Sequence, residues 1–236
     1  MNVILKNLQA VRASIAQITK AAGRAPEAVR LLAVSKTRPA EDVLTAALEG
    51  GQREFGENYA QEGVEKMEAV ARHLPPGHPP LVWHFIGPLQ ANKTRIVAEH
   101  FDWLHSVERL KIAARLSAQR PAHLPPLQVC VQVNVSGEAS KSGCAPEEAL
   151  ELCRAVVALP RLGLRGLMAI PAPEADFLAQ RKPFARLRAL METLRGAGLA
   201  LDTVSAGMSH DLAAAIHEGA TLVRVGTAIF GERTNA

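Results

Sequence analysis

The chain has 236 residues, of which 48% are hydrophobic, 21% charged and 4% aromatic, with a formal net charge of +4. This length and composition allow a large buried core and exclude an intrinsically disordered chain. The longest apolar runs, such as residues 127–135, contain polar residues and fall far short of the roughly 20 residues needed to span a bilayer. We therefore expect a globular protein with no membrane partner.

Neither the N-terminus nor the cysteine and histidine patterns indicate export or metal binding. The first residues, MNVILKNLQA, lack the long apolar stretch and the cleavage site of a secretory signal, so we expect a cytoplasmic protein. Cys130, Cys144 and Cys153 form no CxxC pair, and the eight histidines form no HExxH motif, so we expect no metal site. The scattered Lys and Arg residues and the few aromatic residues favour solvated helix faces over nucleic-acid binding.

The first predicted element is an amphipathic helix that precedes the first strand. Its apolar residues repeat every three or four positions, and the pattern ends near Gly23. These residues are Ile4, Leu8, Val11, Ile15 and Ile18. A short apolar strand follows at residues 31–35, and a helix then begins near Pro39 and ends at residues 50–51.

Strand and helix patterns alternate along the rest of the chain. Further strands are predicted near Glu54, at residues 82–86, 103–105, 127–134 and 163–169, near Thr203 and at residues 222–225. The helices between them are predicted at residues 59–72, 91–99, 109–119, 147–157, 184–194 and 209–216. Such an alternation implies parallel strands with right-handed crossovers, and eight strands can close into a barrel without edges.

The competing arrangement is an open doubly wound sheet. No GxGxxG motif follows the first strand, which removes the main signature of a dinucleotide-binding sheet. We therefore predict an α/β fold in which residues 1–236 form a single domain, one (β/α)8 TIM barrel with an extra N-terminal helix. In such barrels ligands bind at the carboxyl ends of the strands. The polar residues predicted at those ends are Lys36, Asn58, His84, His105, Asn134, Ser205 and Arg224.

Lys36 directly follows the first apolar strand. Partial burial at a barrel mouth lowers the pKa of a lysine amine and makes it a nucleophile, as Schiff-base formation requires. The alternative is an ordinary strand-end lysine whose ammonium group reaches water, and position alone favours that alternative.

Two segments are candidates for holding a phosphate after strands seven and eight. In residues 205–211, Ser209 is positioned to cap the short predicted helix, whose N-terminus attracts anions, although a plain N-cap fits equally well. In residues 224–227, Gly226 allows close approach of the backbone to a ligand and Thr227 adds an amide and a hydroxyl, although such a glycine is usually a turn. Together with the lysine after strand one, these segments suit a small phosphorylated carbonyl compound.

Seven sequence segments carry a family resemblance that covers nearly the whole chain. They are AVSKTRP around Lys36, FGENYAQE at 55–62, WHFIGPLQANK at 83–93, SKSG at 140–143, RGLMAIPAP at 165–173, GMSHD at 207–211 and RVGTAIFG at 224–231. Through them the sequence closely resembles the YggS/PROSC family of pyridoxal 5′-phosphate (PLP) homeostasis proteins, which is related to the N-terminal barrel of alanine racemase. The resemblance implies PLP as the cofactor, held as a Schiff base on Lys36.

The resemblance also implies roles for other residues. The implied phosphate contacts are Ser205, Ser209, Gly226 and Thr227, the implied ring contact is Arg224, and Asn58 and Met168 are implied to line the site. Some relatives have a lysine where this chain has Arg38, which weakens a role for that position in receiving cofactor. Lys141 is retained in the SKSG segment and could serve in cofactor transfer, although a solvated loop lysine is the simpler interpretation.

Two features favour a cofactor carrier over an enzyme. PLP stabilises carbanions best when its ring nitrogen is protonated, usually beside a carboxylate, and Arg224 can only donate a hydrogen bond to that nitrogen. Racemases of the related fold take a second base, a tyrosine, from a C-terminal β domain. The chain stops ten residues after Gly226, so we expect no such domain, and its one tyrosine, Tyr59, fits a packing role better.

The resemblance therefore implies a cytoplasmic PLP-binding homeostasis protein, a carrier or buffer without catalytic residues of its own. The alternative is a PLP-dependent amino-acid racemase or a related α-carbon enzyme. A metal-dependent or sugar-phosphate barrel enzyme is a third hypothesis, and no cluster of carboxylates at the predicted strand ends supports it. The expected partners are PLP and the apoenzymes that use it. We favour a monomer, with a dimer as the alternative.

Overall fold

The computed structural model of the protein describes residues 2–138 and 142–232, so Lys141 lies outside the described residues. Its centre consists of eight strands: β1 (Arg30–Val34), β2 (Glu54–Glu57), β3 (Val82–Phe85), β4 (Trp103–Val107), β5 (Leu127–Gln132), β6 (Leu162–Met168), β7 (Thr203–Ser205) and β8 (Leu222–Val225). The strands are parallel and close into a barrel in chain order, with β8 paired to β1. The predicted (β/α)8 barrel is confirmed.

Helices alternate with the strands. They are α1 (Val3–Ala21), α2 (Ala40–Leu48), α3 (Ala60–His73), α4 (Thr94–His100), α5 (Leu110–Gln119), α6 (Ala149–Val157), α7 (Phe177–Gly196), α8 (Leu212–His217) and α9 (Thr227–Phe230). The predicted extra helix is α1, which Asn2 caps by accepting the Ile4 amide at 2.9 Å. Within the described ranges, no helix is both long and apolar enough to cross a membrane.

Helix α1 packs against the last helices of the chain. Asn7 Nδ2 donates to the Ile229 carbonyl in α9 at 3.1 Å. Arg24 Nη1, just after α1, donates to the Ile216 and Ala220 carbonyls at 2.8 and 2.7 Å. Because α8 and α9 flank β8, α1 covers the place where the last strand meets the first. The extra helix therefore belongs to the closure of the barrel.

The strands are buried on both faces, which gives the protein two cores. Between the strands and the helices lies a continuous apolar core, which includes Val43 and Phe101. Inside the barrel lies a smaller cluster of Trp103, Cys130 and Met168. Several polar side chains share that interior. Because a buried polar group is costly without a hydrogen bond, these side chains need partners inside the barrel.

Stacked side chains cover the amino-terminal end of the barrel. The guanidinium groups of Arg30 and Arg165 lie 5.4 and 5.3 Å from the centroid of the Trp103 ring. Glu54 pairs with Arg30 at 3.1 Å, and Asp202 pairs with Arg165. The charged groups at this end of the barrel thus neutralise one another.

Candidate functional site

Lys36 lies at the carboxyl end of β1, beside the segment that follows β8. Its side chain is half-buried. The two segments meet because β1 pairs with β8 along the barrel. They form a narrow cleft lined by Val34, Lys36, Thr37, Arg38, Gly226 and Thr227. The structure therefore brings the predicted lysine together with one of the two predicted phosphate segments.

Gly226 allows these two segments to approach closely. A Cβ atom at this position would lie 3.1 Å from the Val34 carbonyl oxygen and 3.3 Å from Val34 Cβ, so a larger residue would push the segments apart. Thr227 follows it, exposed, as the first residue of α9. Arg38 forms the wall of the cleft and donates to the Gly231 carbonyl beyond α9. Arg38 thus joins the β1 side of the cleft to the β8 side.

A buried ion-pair network fixes the loop on both sides of the lysine. Lys66 Nζ, on α3, donates to Glu57 Oε1 at 2.7 Å and to Glu62 Oε1 at 3.0 Å. It also donates to the Ser35 carbonyl at 2.6 Å, and Ser35 Oγ donates to Glu57 Oε1 at 2.6 Å. Glu62 Oε1 accepts the Thr37 amide at 2.6 Å. Thr37 has a φ of 62°, a left-handed conformation that is unfavourable for a β-branched residue, so the loop needs this support.

Three predicted site residues meet at the carboxyl ends of β6, β7 and β8. Arg224 Nη1 donates to Ser205 Oγ at 2.8 Å, and Arg224 Nη2 donates to the Ala169 carbonyl at 3.1 Å. Met168 lies opposite Ser205 in the strand register, and all three side chains are buried. Burial lowers the pKa of Arg224 to about 10, which leaves the guanidinium protonated at neutral pH. A cation is therefore fixed on the strand that leads into the cleft.

His84 and His105 lie inside the barrel, so the prediction that they stand at its mouth is wrong. Both side chains are fully buried. His105 is covered because β4 continues beyond it to Val107, and His84 packs against His105 and Trp103. His84 Nδ1 lies 2.9 Å from His105 Nε2, and His105 Nδ1 lies 2.7 Å from Ser205 Oγ. Burial lowers the pKa of both imidazoles, that of His105 well below its ordinary value.

The two predicted asparagines have different surroundings. Asn58 follows β2, and its Oδ1 is buried without a hydrogen-bond partner among the described residues. A Cβ atom on Gly87 would lie 2.4 Å from the Asn58 carbonyl oxygen, so only glycine allows this packing. Asn134 organises its own loop, since Nδ2 donates to the Glu138 carbonyl at 2.8 Å and Oδ1 accepts the Gly137 amide at 3.1 Å. Asn58 is therefore the better candidate for a ligand contact.

Ser209 does not cap a helix, contrary to the sequence prediction. Helix α8 begins at Leu212 with Asp211 at its N-cap, and Asp211 Oδ1 accepts the Met208 amide at 2.6 Å. Ser209 is exposed on the loop between β7 and α8. That loop follows β7 at the same end of the barrel as Gly226, but Ser209 does not line the cleft beside Lys36.

This end of the barrel brings together polar groups that can bind a small polar ligand. Lys36 offers an amine, Arg224 a buried donor, and Asn58 an acceptor that has no hydrogen-bond partner among the described residues. A larger cavity of about 330 Å³ lies at the opposite end of the barrel, next to Arg30 and Glu54, and none of the predicted site residues lines it. The part of the chain that the structure describes contains no group of three His, Cys, Asp or Glu side chains suited to a metal ion.

Comparison with known proteins identifies the family. The alanine racemase, N-terminal domain family matches residues 7–234. The chain belongs to this family. The pyridoxal phosphate homeostasis protein of Pseudomonas aeruginosa is 60% identical over 233 residues, 99% of this chain and 97% of that protein. The protein of the same name in Escherichia coli K12 is 53% identical over 234 residues, 99% and 98% of the two chains.

A solved structure supports the same relationship. PipY of Synechococcus elongatus, with PLP bound, is 33% identical and superimposes with a TM-score of 0.82, covering 97% of this chain and all of PipY. The resemblance to the PLP homeostasis proteins, predicted from the sequence segments, is therefore confirmed.

Sequence reasoning missed the residues that support the site in this family member. Lys66 lies on the buried face of α3 with Val64 and Val70, and a lysine among apolar helix positions was the available signal. Glu57 directly follows two buried residues of β2, which was the matching signal for the carboxylate. What the sequence did not contain was their pairing, because it depends on how α3 packs on the barrel.

Proposed function

We propose that this protein binds PLP through a Schiff base on Lys36 and serves in intracellular PLP homeostasis as a carrier or buffer of the cofactor. The observation that carries the proposal is the placement of Lys36 in one cleft with Gly226 and Thr227, in the segments that follow the directly paired strands β1 and β8. The names of the curated relatives and the PLP bound to PipY support it.

Each part of PLP has a proposed partner in this arrangement. We assign the carbonyl group to Lys36, the ring nitrogen to Arg224, and the phosphate to Ser209, Gly226 and Thr227. Asn58 and Met168 line the site. Ser205 Oγ already contacts Arg224 and His105, so we assign Ser205 to holding Arg224.

The electrostatics of Arg224 favour a carrier over an enzyme. PLP, when bound, supplies an electron sink that works best with a protonated ring nitrogen. Arg224 remains protonated at neutral pH because its pKa is about 10, and a guanidinium has no acceptor, so it donates to an unprotonated nitrogen. Tyr59 is 56% exposed at the start of α3, which fits poorly with the second base that a racemase needs.

The wider setting follows from the same proposal. We place the protein in the cytoplasm, as one domain, with PLP-dependent apoenzymes as its protein partners and a monomer as its favoured state. A PLP-dependent racemase or related α-carbon enzyme is the competing function.

The lysine assignment is tested by spectroscopy. The purified protein mixed with PLP is expected to show the absorbance band of a Schiff base, and borohydride reduction followed by peptide mapping is expected to place the label on Lys36. Lys36→Ala is expected to lose the band, while Lys20→Ala, which removes an exposed lysine of α1, keeps it. A label on a different lysine, or no band in the unmodified protein, overturns the proposal.

The carrier role is tested by isotope exchange. Amino acids incubated in deuterated water with the PLP-loaded protein are expected to exchange their α-protons no faster than with free PLP, because Arg224 keeps the electron sink weak. Proton magnetic resonance measures this loss directly. Exchange of one amino acid at ordinary enzyme rates would favour the racemase instead.

A further inference from the structure

A line of polar side chains crosses the barrel interior from the Lys36 end to the opposite end. Arg224 Nη1 contacts Ser205 Oγ at 2.8 Å, Ser205 Oγ contacts His105 Nδ1 at 2.7 Å, and His105 Nε2 contacts His84 Nδ1 at 2.9 Å. His84 Nε2 then faces Glu54 Oε2 at 3.3 Å, without the orientation of a hydrogen bond. Five residues from five strands thus form one chain, and the family resemblance assigned no role to His105, His84 or Glu54.

The proton positions in this chain can be deduced from its two ends. A guanidinium only donates, so Ser205 Oγ accepts from Arg224. Glu54 is an acceptor when ionised. Burial raises the pKa of Glu54, but His84 and Arg30 outweigh burial and leave the pKa below its ordinary value. A carboxylate at 3.3 Å requires a proton on His84 Nε2, because two facing acceptors would repel each other.

The interior protons then follow in order. With its proton on Nε2, neutral His84 has an acceptor at Nδ1, so His105 donates from Nε2. His105 therefore accepts at Nδ1, and the Ser205 hydroxyl is the donor to it. If the hydrogen bonds ran in the opposite direction, both imidazoles would carry their proton on Nδ1. His84 Nε2 would then face the Glu54 carboxylate as an acceptor, and the Ser205 hydroxyl proton would have no acceptor among the contacts of the described residues.

We propose that the Glu54 carboxylate sets the direction of this hydrogen-bond chain and that the chain holds the Arg224 guanidinium in place for the cofactor. His84, His105 and Ser205 are positioning residues, since they act through Arg224. The claim that Arg224 is positioned for the cofactor rests on the proposed function, whereas the direction of the hydrogen-bond chain does not. One consequence is that the Ser205 hydroxyl proton is committed to His105 and is not available to a phosphate.

Burial outweighs the surrounding charges and keeps both imidazoles neutral. Glu54 and Asp102 raise the pKa of His84 and Arg30 lowers it, but burial lowers it more. At His105, burial and the nearby His84, Arg224 and Arg30 all lower the pKa. The Trp103 ring stacks on His84 with 5.3 Å between centroids, which keeps water from that side. A proton added to either ring would break one link of the chain, because each ring uses one nitrogen as an acceptor.

The direction of the chain is tested without any cofactor. In protein labelled with ¹⁵N-histidine, long-range proton–nitrogen spectra report which ring nitrogen carries the proton, and His84→Gln and His105→Gln assign the signals. Both histidines are expected to carry the proton on Nε2 at neutral pH. In Glu54→Gln the carboxamide can donate or accept, so the His84 signal is expected to become a mixture. Nδ1 protonation of either ring in the unmodified protein overturns the proposed direction.

The positioning role is tested by a matched pair of variants. Ser205→Ala removes the link to Arg224, and Ser117→Ala removes another buried hydroxyl, which donates to the Pro160 carbonyl at 2.6 Å outside the barrel. Loss of a hydrogen bond to a charged group is expected to weaken PLP binding by about tenfold in Ser205→Ala, with little change in Ser117→Ala. His105→Leu is expected to resemble Ser205→Ala, while His105→Gln, which can still accept and donate, restores most of the affinity.

The outcomes separate this inference from the proposed function. Equal PLP affinity in Ser205→Ala and Ser117→Ala overturns the positioning role even if both tautomers are as expected. Failure of the unmodified protein to bind PLP overturns the proposed function, while the histidine spectra still decide the direction of the chain.

Discussion

Replacement of Lys66 by methionine is expected to lower the free energy of unfolding by about 3–5 kcal/mol, as loss of one partner of a buried ion pair does. The Glu57 carboxyl is fully buried, and Lys66 Nζ lies 2.7 Å from it. Methionine fills similar space but leaves Glu57 with the Ser35 hydroxyl as its one remaining side-chain partner among the described residues. Urea denaturation at pH 7 measures the loss, with the slope of the transition expected to stay constant.

A double-mutant cycle provides the control for this prediction. Glu57→Leu added to Lys66→Met removes the unpaired carboxyl, so the double variant is expected to be less destabilised than the sum of the single changes. The charge-conserving variant Lys66→Arg retains a cation at the site. A loss below about 1 kcal/mol in Lys66→Met, the range of an exposed ion pair, would contradict a structural role for the buried network.

Stability is expected to fall steeply as the pH is lowered below about 6.5, the ordinary pKa of histidine in an unfolded chain. Burial lowers the pKa of His84 and His105 in the folded protein, so the unfolded chain takes up protons first. The stabilisation is therefore fully present above pH 6.5 and is lost progressively as the pH falls toward the folded pKa values. Each histidine contributes a slope of up to about 1.4 kcal/mol per pH unit.

Urea midpoints measured between pH 8 and pH 5 test this dependence. The double variant His84→Gln/His105→Gln is expected to lose most of the slope, because its folded and unfolded states no longer differ in proton uptake at these positions. The exposed His123 offers a matched control, and His123→Gln is expected to keep the slope. A pH profile that is the same in the double variant and in the unmodified protein would show that the buried pair does not control acid stability.

The fold was predictable because periodicity alone identifies a repeating β/α pattern. All eight predicted strands are present, and Lys36, the polar residue after β1, lies at the mouth of the barrel as expected. The boundaries of the strands and helices were predicted less accurately. The sequence prediction ended β4 at His105, whereas the strand continues through Ser106 to Val107. Helix α7 begins at Phe177, before its first buried residue, because its first turns face solvent.

The parts of the site that sequence could not predict are those decided by competition or by packing. Ser209 and Asp211 are both residue types that favour a helix N-cap, and Asp211 occupies that position, although its carboxylate accepts the Met208 amide and caps no helix amide. The imidazoles of His84 and His105 meet because β3 and β4 are adjacent and both side chains lie inside the barrel, which no local pattern reveals. The motif segments still identified the residues of the cleft, since they follow the strands directly.

The cleft beside Lys36 also ties ligand retention to completion of the barrel. Its walls come from the end of β1 and from the segment after β8, so a nascent chain lacks half of the cleft until β8 and the residues after it have been made. A ligand held between these walls binds only the closed barrel. Its binding free energy therefore stabilises the whole folded barrel and makes unfolding more cooperative. Local unfolding of β1, or of β8 and the segment after it, would release the ligand before the middle strands of the barrel unfold.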